Sequence, residues 1–195
     1  MQLQFSPVSP FARKFRVIVR EKGLLGRVEE APRIVTRDGA PADPLAQPPI
    51  LAVDDDKGFM DPFEILQALD EMGAGPKLLP TKEADRTAAL RLFVLADGAL
   101  EAGVQIRNAL PQQPSPDRDY WIDRWQKAIL SGIYAAEQAS PKAVPLNAGA
   151  IAMVCTLSWI DAALPGAQWR DTHPKLAALQ RALEALPSFQ DVGMA

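Results

Sequence analysis

A serine directly before a proline, Ser9-Pro10, stands between a short alternating apolar stretch and a helical pattern. The start of a helix carries unpaired N–H groups and the positive end of its dipole, which together favour an anion such as a thiolate nearby. A hydroxyl at that place is therefore a candidate for chemistry. The same Ser-Pro pair also reads as an ordinary helix cap, and Ser6 is a rival hydroxyl better suited to a turn. A second helix start, Asp61-Pro62-Phe63-Glu64, combines an N-cap acid, a proline at the first helical position and a glutamate where a capping box closes. Arg107, beside Asn108 on a long helical pattern, is a third candidate, with a solvated surface charge as its alternative.

Other chemistries are poorly served. Cys155 is the one cysteine and His173 the one histidine. A disulfide framework and a His/Cys metal cluster are excluded, so no metal is expected. Cys155 lies in the most apolar helical stretch and reads as a small core residue. His173 precedes Pro174 at a helix start and reads as a surface or capping residue. Asp54-Asp55-Asp56 lacks the alternation and terminal glutamate of a calcium loop and reads as a solvated turn. No nucleotide-binding glycine loop, serine-hydrolase elbow or zincin helix is found.

The elements that position these residues change character along the chain. Leu3 and Phe5 alternate with Gln2 and Gln4 as a short strand. Phe11, Phe15, Ile18 and Val19 form a helical face that ends at Gly23. Residues 28–35 and 50–53 read as strands, joined by a loop over 38–49 that contains four prolines. Asp54 to Gly58 reads as a hairpin turn into a short strand at Phe59, and 61–72 as a helix. From Thr81 onward the pattern is helical only, over 84–110, 120–139, 147–163 and 173–186. Trp121, Trp125, Ile129 and Ile133 recur every four residues, and with Trp159 and Trp169 they are expected in the core and between helices. The fold class is thus α/β over 1–80, with a small mixed sheet, followed by an all-helical domain over 84–195.

Composition bounds the function. The 195 residues carry 21 Lys and Arg against 24 Asp and Glu, a net charge of −3. This argues against nucleic acid and acidic membranes as partners. The start MQLQFSPVSP has no basic leader, and no uncharged apolar run approaches the roughly 18 residues of a membrane span. The expectation is a soluble, reduced, cytoplasmic protein with 48% apolar residues and an ordinary core.

Taken in order, several strings resemble the glutathione S-transferase family, in its serine-type, bacterial-like form. They are Ser6-Pro7-Val8-Ser9-Pro10-Phe11-Ala12-Arg13-Lys14 running on to Glu21-Lys22-Gly23-Leu24, then Asp43-Pro44-Leu45-Ala46-Gln47-Pro48-Pro49-Ile50-Leu51, and Ala96-Asp97-Gly98-Ala99-Leu100. Trp159-Ile160-Asp161, Trp169, His173-Pro174 and Pro187-Ser188-Phe189 complete the series. No single string is specific; their order and spacing are. The resemblance implies a thioredoxin-like N-terminal domain that binds glutathione, an all-helical C-terminal domain, and a homodimer. It implies that glutathione is the co-substrate and an apolar electrophile the second substrate. Ser9 would donate a hydrogen bond to the glutathione sulfur, stabilising the thiolate so that it attacks at neutral pH. Phe11, Gln47, Pro48, Pro49, Asp61 and Pro62 would line the glutathione site, with Pro49 as a cis-proline, and Arg107 would serve the second substrate.

Two departures from the family pattern bear on that site. The residue before the cis-proline offers its backbone to the cysteinyl group, and here it is Pro48, which has no N–H. Where members place an acid followed by Ser or Thr to hold the γ-glutamyl carboxylate, this chain has Asp61-Pro62, with neither hydroxyl nor N–H at Pro62; the Phe63 N–H is the remaining substitute. A charge-assisted hydrogen bond contributes about 1.5–3 kcal/mol, so losing two or three donors weakens binding by roughly a hundredfold or more. A non-catalytic protein that keeps the fold as a binding or interaction scaffold is the alternative. Thiol–disulfide exchange is disfavoured, because no cysteine lies near Ser9.

Overall fold

The alternation of Leu3 and Phe5 with Gln2 and Gln4 becomes strand β1, Gln2–Phe5, in a computed structural model that describes residues 1–33, 49–53 and 58–193. A short 3-10 turn, Pro10–Ala12, leads into helix α1, Arg13–Glu21. Its apolar face is fully buried at Phe15, Ile18 and Val19, and Gly23 follows at φ +64°, a left-handed conformation that side chains disfavour. Strand β2, Glu29–Pro32, runs parallel to β1; β3, Ile50–Ala52, and β4, Gly58–Phe59, run antiparallel to their neighbours. The sheet order is β2-β1-β3-β4, the small mixed sheet that the alternation of patterns implies. Helix α2, Pro62–Met72, follows. Residues 38–48 of the expected loop over 38–49, Gln47 and Pro48 among them, and the acidic turn Asp54-Asp55-Asp56 lie outside the described residues.

A buried ion pair locks the back of this sheet-and-helix unit. Lys22 Nζ lies 3.1 Å from Asp70 Oδ1, and neither side chain has appreciable contact with solvent. Lys22 also donates to the carbonyls of Gly75 and Pro76, both at 2.9 Å. Asp70 accepts from the N–H groups of Leu78 and Leu79 at 2.8 and 3.2 Å. Every lone pair and proton of consequence thus has a partner, which is the condition under which a charge survives burial. Gly73 is required beside it, because a Cβ there would stand 2.5 Å from that of Lys22.

The rest of the chain forms helices α3 (Glu83–Ala109), α4 (Pro116–Ala139), α5 (Ala148–Ala163), α6 (Pro174–Glu184) and α7 (Pro187–Gln190). No strand follows Phe59 among the described residues. Helix α5 is buried at every position from Ala148 to Ile160, so it is the core of the helical unit, and Asn147 caps it by accepting from Ala150 N–H at 3.0 Å. Cys155 is buried within it, as its apolar setting predicts. Gly149 lets α5 cross α3 closely: a Cβ there would fall 2.2 Å from the Ala89 carbonyl oxygen.

The residues fall into two compact units, Met1–Leu79 with Pro187–Ala195, and Pro80–Leu186. Phe189 is fully buried in the first unit, and the Arg13 side chain both stacks on its ring and donates to the Gly193 carbonyl at 2.8 Å. Two sequence expectations, on the tryptophans and on His173, are corrected. Trp121 is 47% exposed and Trp125 half-buried, while Trp159, Trp169, Ile129 and Ile133 are buried. The two tryptophans stack on each other at 5.8 Å in the N-terminal half of α4, whose buried positions begin only at Ile129. His173 is neither a surface residue nor a side-chain cap; it is buried, with Nδ1 bonded to the Trp169 carbonyl and Thr172 Oγ1. The cap of α6 is the buried carboxylate of Glu137 on α4, which accepts from Lys175 and Leu176 N–H at 3.1 and 2.9 Å.

Candidate functional site

The strand register gathers the candidate residues of the first unit at one end of its sheet. Gln4 faces Ile50 across β1 and β3, and Leu51 faces Phe59 across β3 and β4. Continued to the strand ends, these registers align Phe5, Pro49 and Asp61 in one row, with neighbouring strands about 4.8 Å apart. The Ser6–Ser9 turn leaves β1 at this edge, closed by Ser9 N–H donating to the Ser6 carbonyl at 2.9 Å. Both α1 and α2 begin here, so two helix N-termini meet the same edge. Pro49 is buried; the Pro48–Pro49 bond, with the expected cis state, lies outside the described residues.

Ser9 takes the N-cap position before Pro10 with extended backbone, φ −85° and ψ 118°. Its side chain makes no capping bond and has no other hydrogen bond among the described residues. The plain-cap reading of Ser9 therefore fails: the hydroxyl is half-exposed, uncommitted and next to a helix start. Ser6 acts as the turn residue through its carbonyl. Phe11, in the 3-10 turn that precedes α1, is half-buried, with the ammonium of buried Lys14 5.9 Å from its ring centre. Arg13 and Lys14 are buried cations at the start of an otherwise apolar face, and their types alone gave no sign of it.

Asp61 and Pro62 form the expected helix start and correct one expectation about it. Asp61 Oδ1 accepts from Phe63 N–H at 2.8 Å and from Glu64 N–H at 3.2 Å. The Phe63 N–H is thus taken by the chain's own carboxylate and does not stand in for the donors that Pro62 lacks.

No family model matches the chain. A crystal structure of a glutathione transferase family member from Pseudomonas fluorescens Pf-5, with bound S-(propanoic acid)-glutathione, is 30% identical and covers 98% of both chains at a TM-score of 0.86. The chain belongs to the glutathione transferase family. A glutathione S-transferase from Methylobacterium radiotolerans, in complex with glutathione sulfonate, is 28% identical over 100% of this chain and 95% of its own, with a TM-score of 0.87. The GST-like protein YibF of Escherichia coli K12 is 24% identical over 97% of this chain and 96% of its own length.

In this transferase-family chain the remaining candidate, Arg107, lies on α3 in the helical unit, exposed, with its guanidinium 5.5 Å from the ring centre of Trp159. Among the described residues no group of three or more His, Cys, Asp or Glu side chains is arranged to hold a metal ion. No helix is long and apolar enough to cross a membrane among the same residues.

Proposed function

We propose that this chain is a serine-type glutathione transferase that conjugates the glutathione thiol to an apolar electrophile. The observation that carries the reading is the uncommitted Ser9 hydroxyl at the sheet edge where β1, Pro49 and the α2 start meet. Glutathione lies along this edge, its cysteinyl part against Pro49 and its sulfur within reach of Ser9 Oγ, with Gln47 and Pro48 as further contacts that the family resemblance implies. Phe11 borders it, and Asp61-Pro62 flank its γ-glutamyl end. Ser9 donates to the thiolate and so holds more of it ionised at neutral pH, without itself forming a bond to substrate. Arg107 contributes to holding the electrophile. The relatives crystallised with glutathione, its sulfonate or a glutathione conjugate support this ligand class.

The protein works in the cytoplasm as a homodimer. Support for self-association comes from α4, where Tyr120 and Tyr134 are 60% and 59% exposed on the face opposite buried Ile129 and Ile133. The test of the ligand is calorimetry, or a thermal shift, with glutathione up to roughly 10 mM. A saturable heat and a rise in melting temperature are expected. Absence of both would leave the fold as a non-catalytic scaffold.

A further inference from the structure

A helix start normally leaves its first N–H groups open, and so forms a seat for an anion. At α2 the seat is filled from within. Pro62 has no N–H. The Phe63 and Glu64 N–H groups both donate to Asp61 Oδ1, and the Ile65 N–H donates to the Asp61 carbonyl at 3.0 Å. Glu64 adds a second acid to the first turn. What this helix end shows to a ligand is therefore negative charge and no donor. Asp61 Oδ2 has no partner among the described residues, and the residue is exposed. It can accept from an ammonium group. The same registers that align Asp61 with Pro49 put this acceptor two strands away from the Ser6–Ser9 turn.

We infer that Asp61 and Pro62 set the ligand specificity of the thiol site: it takes a cysteinyl thiol bearing an amine but no carboxylate at its amino-terminal end at least as readily as glutathione. The inference rests on the glutathione-site reading above and deepens it. Recognition of such a ligand uses the free Asp61 oxygen for the amine and Ser9 for the sulfur. The γ-glutamyl carboxylate gains nothing here, because its donors are absent or already bonded, and it meets the Asp61 charge.

The experiment is titration calorimetry of the full chain with glutathione and with 4-aminobutyryl-cysteinylglycine, the same peptide without its γ-glutamyl carboxylate. Wild type should bind the decarboxylated peptide as tightly as glutathione or more tightly. A preference for glutathione above about threefold overturns the inference. Asp61→Asn keeps an N-cap side chain and removes the charge. It should weaken the amine contact of both peptides alike and, by removing the charge that the γ-glutamyl carboxylate meets, move the preference toward glutathione by about tenfold. Pro62→Ser, which restores an N–H and a hydroxyl, should move it the same way. An unchanged ratio in both variants overturns the inference even if wild type binds both peptides. Failure of both peptides to bind in the millimolar range overturns the glutathione reading itself, and this one with it, so the two failures are told apart.

Discussion

Replacing Ser9 by alanine removes one oxygen that caps nothing and bonds to nothing among the described residues, so the fold should not register its loss. Its effect belongs to the chemistry. A hydrogen bond to a charged sulfur contributes about 1.5–3 kcal/mol, so Ser9→Ala should lower kcat/KM for conjugation of an aryl halide by about tenfold to a hundredfold. The melting temperature should stay within a degree or so of wild type, since isolated surface changes fall within about 0.5 kcal/mol. The readout that separates a thiolate donor from a mere spacer is the pH profile: without the donor, the rate should rise with pH over a higher range. An unchanged rate and profile would remove Ser9 from the mechanism. The place of Ser9 before a helix start was legible because Ser-Pro after a strand has few meanings, and its side chain makes no capping bond there. Asp61 was legible as a cap but not as a self-neutralising one; that required knowing where its carboxylate points. The burial of His173 is not legible for a similar reason, since a histidine before a proline says nothing about whether the chain behind it folds over the ring.

Element boundaries were legible wherever a residue can only stop or start a helix. Asp61-Pro62 and Asn147 each begin a helix where the sequence places one, and both side chains accept from the first-turn backbone; α4 instead begins at Pro116, capped by Ser115, four residues before the expected start at Tyr120. What joins elements was not legible, because the partners are far apart in sequence. Lys22 and Asp70 come from α1 and α2 ends, yet they form one buried network with the 75–79 segment. Glu137 caps a helix that begins 37 residues later, and Pro187–Ala195 returns to the first unit. The ion pair makes an element-scale prediction. Lys22→Met keeps the length and apolar stem but leaves Asp70 buried without a counter-charge and the carbonyls of Gly75 and Pro76 without a donor. Breaking a buried pair from one side costs about 3–5 kcal/mol, a large share of the stability of a protein this size. Urea unfolding should show a midpoint lowered accordingly with little change in slope. A loss below about 1 kcal/mol would mean that the pair is not closed to water as drawn.

The whole-molecule question is why the helical unit leaves aromatic surface in water. Tyr120, Leu130 and Tyr134 on α4 are exposed, and a groove of about 820 Å³ runs between α3 and α4. Exposed aromatic side chains beside a groove are where an interaction partner is expected. The charges at the groove say which partner fits. Glu101 on α3 and Arg124 on α4 both line it, both are exposed, and neither has a partner among the described residues. Opposite charges on the two walls of one groove are self-complementary under a two-fold axis, where residue i meets j and j meets i. In the homodimer proposed above, a second copy of this chain is expected to pair each Glu101 with the Arg124 of its neighbour and to cover Tyr120. Sedimentation should show a dimer at micromolar concentration. Glu101→Arg and Arg124→Glu should each shift it toward monomer, since like charges across an interface repel, and the double exchange should restore the dimer. Restoration is the decisive arm, because a variant that merely damages α3 or α4 gains nothing from a second change. A wild-type monomer, or a double variant no better than either single one, would exclude this face as the contact between copies.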